Sequence, residues 1–288
     1  MRVVSTPKVT SAHPVVLTIA GSDPSGGAGL QADLRTFAAL GAQGTSVVTA
    51  LTAQNTTTVA KVYPVEPEVV LAQLTTLLDD VHVDAVKVGM LATARTVLAI
   101  TPILAALPAS GVPVVLDPVL TSTTGTRLLD EEAVHALREL ARLVDVVTPN
   151  LAEAAGLVGA AGPLDTVSHL HALARQGREL GIPRLLVTGG HLHGPSEAVD
   201  VWSDADGELE LRSTRFQVRN THGTGCTLSS ALAALRPQHG GWTDTVREAK
   251  TWVSEAIRRA DEVRLGHGSG PLLHLHEQPR WARQSPAS

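Results

Sequence analysis

The sequence contains one cysteine in 288 residues and few aromatic residues: four tryptophans, two phenylalanines and one tyrosine. A single cysteine excludes an internal disulfide. So few aromatic rings leave little on which nucleic-acid bases could stack, and a formal net charge of −5 provides no basic stripe to neutralise phosphodiesters. We therefore expect no nucleic-acid partner.

Long hydrophobic runs are also missing. The first apolar run, residues 15–20, is too short for a signal-peptide core or a membrane span, so we expect a cytoplasmic protein without a membrane partner. Hydrophobic residues nevertheless make up 43% of the chain, which is enough for a sizeable core. No repeat, linker or shift in composition marks a boundary. We predict one domain over residues 1–288, with an ordered core of about 14–278 and frayed ends.

Short β-branched runs alternate with helical patterns along most of the chain. The runs begin at residues 15, 45, 83, 112, 144 and 184, and the segments between several of them carry apolar residues at spacings of three and four. Strands separated by helices indicate crossover connections, and thus a doubly wound α/β fold with a mostly parallel sheet. Two alternating runs around Asp206 and Gly207 predict a hairpin that adds an antiparallel edge. Ligands of such sheets bind outside the carboxyl ends of the strands.

A glycine-rich stretch, "GSDPSGGAG" at residues 21–29, follows the first run and opens a helical pattern. Its glycines would let the backbone approach a ligand, and the free N–H groups of a helix start favour an anion or a polar ring. Asp23 is the polar side chain that we expect to face a substrate. The stretch lacks the lysine of a Walker loop, and a plain strand-to-helix turn explains the pattern equally well.

The lone cysteine lies in the second glycine-rich stretch, "NTHGTGCTLSSALAAL" at residues 220–235. The N–H groups of Gly223, Thr224, Gly225 and Cys226 are predicted to form a nest for a transferring phosphoryl group, reinforced by the helix dipole. The alternative is a glycine-rich helix cap with a buried structural cysteine.

Two further strand ends carry candidate ligands of a divalent cation. Asn150 and Glu153 are spaced to share one helix face, where they could hold the water shell of Mg²⁺ near phosphates, or simply cap the helix. Asp117 ends the run at 112 and could orient a metal-bound water, or start a turn with the proline after it. The twelve histidines include His-x-His pairs at 169, 191 and 274. No cysteine cluster joins them, so no transition metal is predicted.

The two glycine-rich stretches and the strand ends at Asp117 and Asn150 resemble the hydroxymethylpyrimidine/phosphomethylpyrimidine kinases of thiamine biosynthesis, a branch of the ribokinase superfamily. Four further stretches share this resemblance: "VTALTAQNT" at 48–56, "VKVGMLAT" at 86–93, "GGHL" at 189–192 and "GHGSGPLLHLH" at 266–276. The likeness extends from about residue 15 to residue 276. It implies a ribokinase-like three-layer α/β/α fold. It also implies ATP-dependent phosphorylation of 4-amino-5-hydroxymethyl-2-methylpyrimidine and then of its monophosphate, with Mg²⁺, by a homodimer.

The resemblance also implies residue roles. Residues 223–226 would form the anion hole, and Cys226 takes the place of the aspartate base of most ribokinase-like enzymes. The pyrimidine pocket would be lined by Ala20, Asp23, Gln54 and Met90. ATP would be bound by Asn150, Thr188 and Gly190, and the metal by Asp117 and Glu153.

The chain departs from the family pattern at three places. Thr188 stands where many members carry a lysine, and residues 123–126 read "TTGT" where a familiar stretch carries another lysine. Gln54 stands where some members have glutamate, although an amide can both donate to and accept from a pyrimidine. Two alternatives therefore stay open: a pyridoxal-type kinase, and a ligand-binding relative that has lost catalytic charge.

A cysteine is chemically compatible with phosphoryl transfer. The loose transition state makes positioning and charge stabilisation more important than proton abstraction, and the second acceptor, a phosphate monoester, is largely ionised at pH 7. A helix N-terminus favours the thiolate of Cys226, whereas the anionic phosphoryl group opposes it.

Overall fold

Strand and helix alternate in the order that the sequence predicts. The computed structural model describes residues 13–120, 131–162, 164–190, 192 and 196–277. The strands of this part of the chain are β1 Val15–Ser22, β2 Gln43–Gln54, β3 Val59–Pro64, β4 Ala85–Val88, β5 Val114–Leu116, β6 Val146–Val147, β7 Leu185–Thr188, β8 Glu197–Asp204 and β9 Gly207–Thr214. Its α-helices are α1 Gly29–Ala39, α2 Pro67–Asp80, α3 Ala94–Leu104, α4 Glu131–Ala141, α5 Leu151–Val158, α6 Val167–Glu179, α7 Thr224–Leu235 and α8 Trp242–Arg258.

All of these strands belong to one sheet of order β3-β2-β1-β4-β5-β6-β7-β8-β9. The six strands from β2 to β7 in this order run parallel, and β8 and β9 form the predicted antiparallel hairpin. A second antiparallel edge, β3 against β2, was not predicted. Most residues of β3 are exposed, because an edge strand without a helix over it buries little side-chain surface, and its sequence therefore carries no clear hydrophobic alternation.

The sheet separates two hydrophobic cores, which makes the three layers. Leu17 and Ile19 of β1 pack with helices α2 to α6 on one face, whereas Val16 packs with α1, α7 and α8 on the other. Successive side chains of a strand point to opposite faces, so a strand buried on both sides reads as a continuous apolar run. The predicted α/β/α architecture is confirmed.

Parallel strands bring their carboxyl ends to one edge of the sheet, where α1, α5 and α7 begin.

The predicted frayed ends and the stretch 123–126 lie largely outside the described residues. The assignment of all 288 residues to one domain stays a prediction. No helix of the described ranges is long and apolar enough to cross a membrane.

Candidate active site

A cleft of about 740 Å³ lies at the carboxyl ends of the strands. It brings together every site residue that the sequence predicts: Ala20, Asp23, Gln54, Met90, Asp117, Asn150, Glu153, Thr188, Gly190, Gly223, Thr224, Gly225 and Cys226. It also contains basic and imidazole side chains that the sequence prediction missed, among them Lys87, Arg215, His222 and Lys250.

The carboxylate of Asp23 organises the first glycine-rich turn. One oxygen accepts from the backbone N–H and the hydroxyl of Ser25 at 2.9 and 2.7 Å, and the other accepts from the N–H groups of Gly27 and Ala28 and from Nε2 of His222. Burial opposes ionisation, but the bonds from His222, Ser25 and Ala28 outweigh it and lower the pKa of Asp23. Donors of the protein itself thus occupy both oxygens of the Asp23 carboxylate. A direct contact between Asp23 and a substrate stays a prediction.

The second glycine-rich turn forms the start of α7. Gly223 precedes the helix in the left-handed conformation, with φ of 80°, and no side chain caps the helix. The hydroxyl and the N–H of Thr227 both donate to the carbonyl of Gly223, at 2.8 Å each. Because the first N–H groups of a helix have no partner within it, this uncapped turn presents donors to the cleft.

Cys226, in the first turn of α7, is half-buried beside the carboxylate of Asp117. Burial raises the pKa of the thiol to about 12, and the negative charges of Asp117 and Asp33 add to it, against the opposing effects of Lys87 and the Gly29 N–H. The helix N-terminus alone would favour a thiolate, but burial outweighs it here. In the free protein Cys226 is therefore a neutral thiol at physiological pH.

Asp117 and Glu153 form a pair of buried carboxyl groups. Burial raises the pKa of Glu153 to about 8, with a further contribution from the charge of Asp117, and burial also raises the pKa of Asp117. Asp117 accepts from the hydroxyl of Ser229 at 3.3 Å and from the Cys226 thiol. Two carboxyl groups that resist ionisation in each other's presence fit a divalent cation, which would stabilise both charges.

Asn150 and Glu153 also form a local structure that the sequence left open. The side chain of Asn150 accepts from the N–H of Glu153, and the carboxylate of Glu153 accepts from the N–H of Asn150, both at 3.0 Å. This is a complete capping box at the start of α5, so the capping interpretation is confirmed. The burial of Glu153 beside Asp117 shows that the cap also lies in the cleft.

Lys87 is the buried cation that the sequence prediction missed. It is fully buried, and its Nζ lies 2.9 Å from both carboxylate oxygens of Asp33. Asp33 also accepts from the hydroxyls of Thr18 and Ser230. Burial opposes the charge on Lys87, but the carboxylate of Asp33, with a smaller contribution from Asp117, outweighs it and raises the pKa. A lysine inside the apolar run at 83 was the sequence signal for this pair.

Arg215 lies near the end of β7, where Thr188 stands in place of a lysine. Its guanidinium donates to the carbonyl oxygens of Gly190 and Gly189, at 2.7 and 3.5 Å. These two contacts fix the guanidinium of Arg215 at this part of the cleft.

The "GHGSG" stretch packs against both the β2–β3 turn and the α7 turn. The N–H of Gly268 donates to the hydroxyl of Thr56 at 3.1 Å, and the N–H of Gly270 donates to the buried amide of Asn220 at 2.8 Å. The same Asn220 donates to the carbonyls of Ala260 and Val263. The C-terminal segment thus ties the two sides of the cleft together.

The fold and the cleft together define the class of protein. A mostly parallel sheet with antiparallel edges carries an uncapped helix start beside a pair of buried carboxyl groups, and this is the arrangement of a ribokinase-like small-molecule kinase.

Comparisons with known proteins identify the family. A sequence model described as phosphomethylpyrimidine kinase matches residues 23–273. The hydroxymethylpyrimidine/phosphomethylpyrimidine kinase of Escherichia coli K12 is 48% identical over 264 residues, which cover 90% of this chain and 97% of that protein. The chain belongs to the phosphomethylpyrimidine kinase family.

Solved structures agree with this family and also show a neighbouring one. The phosphomethylpyrimidine kinase of Clostridium difficile 630 is 35% identical, with a TM-score of 0.72, and the match covers 85% of this chain and 99% of that one. An ADP complex of Bacillus subtilis pyridoxal kinase is also 35% identical, with a TM-score of 0.82 and coverage of 91% and 98%. The predicted ribokinase-like fold is confirmed.

Proposed function

We propose that the protein transfers the γ-phosphoryl group of ATP to 4-amino-5-hydroxymethyl-2-methylpyrimidine and then to the resulting monophosphate, for thiamine biosynthesis. The main support for this proposal is that the uncapped start of α7 and the Asp117–Glu153 pair line the same cleft as Gln54 and Met90. The first two features suit a phosphoryl group and its cation, and the last two suit a small heteroaromatic ring.

At the phosphoryl end, the N–H groups of Gly223, Gly225 and Cys226 receive the transferring group, whereas the N–H of Thr224 donates to the carbonyl of Thr221 at 3.3 Å. Asp117 and Glu153 would hold Mg²⁺, which would supply positive charge to the phosphate oxygens. Asn150, Thr188 and Gly190 contact ATP. Arg215 supplies the cation that Thr188 lacks, since its guanidinium is held at the Gly189 and Gly190 carbonyls.

At the pyrimidine end, Ala20 and Met90 provide apolar surface and Gln54 provides an amide. Asp23 affects the pocket indirectly, because it holds the glycine-rich turn and His222 in place.

Cys226 positions the substrate hydroxyl in this proposal. A neutral thiol is a poor base, but a hydroxyl that attacks through a loose transition state loses its proton late, and an oxygen of the transferred phosphoryl group can accept it. The second acceptor is already an anion, so it needs no base, and a neutral thiol does not repel it. The homodimer and the cytoplasmic location stay predictions.

Pyridoxal phosphorylation is the second candidate activity, because the Bacillus subtilis pyridoxal kinase shares the fold and 35% of its residues. The deciding experiment incubates the protein with Mg-ATP and either hydroxymethylpyrimidine, its monophosphate or pyridoxal, and separates the products. Sequential mono- and diphosphate of the pyrimidine are expected. Turnover of pyridoxal alone would support the second candidate, and tight pyrimidine binding without ADP formation would support a non-catalytic relative.

A further inference from the structure

His222, in the turn before α7, joins two residues of the predicted pyrimidine pocket. Its Nε2 lies 2.8 Å from a carboxylate oxygen of Asp23 and 3.2 Å from the atom placed as the side-chain amide nitrogen of Gln54. The ring is buried, and a Cβ on Gly27 would collide with it. One nitrogen atom of a fixed ring therefore faces an acid and an amide at once.

The contact between Nε2 of His222 and Asp23 indicates that this nitrogen carries a hydrogen. Asp23 accepts four bonds from Ser25, Gly27 and Ala28, and those donors favour its ionised form. An ionised carboxylate at 2.8 Å requires a hydrogen on Nε2, because two lone pairs at that distance would repel. Both the Nε2–H tautomer and the imidazolium ion meet this requirement.

The proton on His222 in turn decides how Gln54 is oriented. A nitrogen that carries hydrogen cannot accept from the amide NH₂, so the favourable partner is the amide oxygen, reached by a half-turn of the side-chain amide. With its oxygen towards His222, Gln54 directs its NH₂ group the other way. Gln54 is half-buried and lines the cleft, so that NH₂ group becomes a donor to whatever binds there.

We propose that His222 is a positioning residue that orients the amide of Gln54 with its nitrogen towards the cleft, so that the site selects heteroaromatic alcohols with a ring-nitrogen acceptor at that place. The proposal rests on the proposed function, in which Gln54 contacts the pyrimidine. Selection arises because a ring with C–H at the same place would leave the NH₂ group without an acceptor.

The first test measures kcat/KM for hydroxymethylpyrimidine and for its two pyridine analogues, in which one ring nitrogen or the other is replaced by C–H. We expect the wild-type protein to reject one analogue by about 100-fold or more. In Gln54→Met and in His222→Phe, the ratio of kcat/KM for hydroxymethylpyrimidine to kcat/KM for the rejected analogue should fall to about threefold. The KM for ATP should stay within about twofold of wild type. His222→Gln, which can still donate to both neighbours, should keep most of the ratio. His267→Phe is the matched control, because His267 is exposed.

A second variant tests the orientation without changing His222. Gln54→Glu replaces the NH₂ group by an oxygen, so calorimetry should show about 100-fold weaker binding of hydroxymethylpyrimidine. Binding within about threefold of wild type would show that an acceptor faces the cleft, and would overturn the proposal. An unchanged analogue ratio in folded His222→Phe would also overturn it. If the wild-type protein phosphorylates no pyrimidine, the proposed function fails instead, while the calorimetric comparison of Gln54→Glu still reports the orientation.

Discussion

The backbone of Gly223 lies directly against the carbonyl oxygen of Gly27. A Cβ on Gly223 would overlap that oxygen and would lie 3.1 Å from the Cα of Ala28. Gly27 is equally confined, because its own Cβ would overlap the ring of His222. The two glycine-rich turns therefore interlock, and the position of the α7 helix start depends on the turn that follows β1.

Gly223→Ala should disturb this contact far more than left-handed geometry alone predicts. Gly159 has nearly the same backbone angle, with φ of 75° against 80°, but nothing lies within 4 Å of a Cβ there. Gly159→Ala should thus cost only the left-handed strain of about 1–2 kcal/mol, and Gly223→Ala roughly 2 kcal/mol more. Urea denaturation of both variants measures the difference. Equal losses of stability would contradict the interlocked arrangement.

The Cys226 thiol should ionise only at strongly alkaline pH. Since it is the only cysteine, iodoacetamide reports on it alone. Burial raises its pKa from 9.0 to about 12, so alkylation of the folded protein should stay slow at pH 8 and increase well above pH 9. The protein unfolded in urea, where the thiol titrates near its ordinary value, is the control. A midpoint below pH 8 in the folded protein would contradict a neutral thiol.

Cys226→Ala should separate the two proposed phosphorylations. The first step uses a hydroxyl that the thiol positions, whereas the second uses an acceptor that is already ionised. We expect kcat to fall about tenfold or more for hydroxymethylpyrimidine and less for its monophosphate. Equal losses in separate assays of the two steps would contradict this role.

Glu153→Gln should stabilise the free protein at alkaline pH and weaken its catalysis. Because the pKa of Glu153 is raised from 4.5 to about 8, its neutral form stabilises the fold below about pH 4.5, and this contribution is lost as the pH rises towards 8. Glutamine keeps an acceptor for the Asn150 N–H but cannot ionise, so its advantage should increase over that window and reach about 2 kcal/mol or more.

Thermal melts at pH 5 and pH 8.5 without nucleotide measure the effect of Glu153→Gln. Exposed Glu179 offers the control Glu179→Gln, which should leave the pH dependence unchanged. In an assay with ATP, Glu153→Gln should require more Mg²⁺ than wild type. A Mg²⁺ requirement identical to that of wild type would exclude Glu153 as a metal ligand.

The Lys87–Asp33 ion pair should be costly to break from either side. Both side chains are fully buried, and Lys87→Met leaves the carboxylate of Asp33 without its counter-ion. We expect a loss of about 3–5 kcal/mol, with partial recovery in the double variant Lys87→Met and Asp33→Asn. A double-mutant cycle from denaturation curves measures the coupling. Additive losses would show that the two charges do not stabilise one another.

Arg215→Gln should raise the KM for ATP about tenfold and leave the KM for the pyrimidine nearly unchanged, because one charge-assisted contact to phosphate is lost. Arg212→Gln, an exposed arginine on β9, is the control. Adding Thr188→Lys should restore part of the affinity, since it returns a cation to the same part of the cleft. A purely structural role for Arg215 would show no such recovery.

The sequence alone determines which stretches form the layers and which turns reach the cleft. The alternation of β-branched runs with helical spacing predicted six central strands, because strands buried on both faces must be apolar throughout. It missed β3, whose exposed side chains leave no such pattern. The ordered motifs predicted the family, and every site residue predicted from them lines one cleft.

Only the tertiary structure decides the protonation states and partners within that cleft. The sequence placed Cys226 at a helix start, but burial beside Asp117 and Asp33 makes it a thiol. It placed Asp23 at a strand end, but His222, 199 residues away, turns the carboxylate inward. Such outcomes depend on desolvation and on charges brought together from distant segments, and neither quantity is encoded in a local pattern of residues.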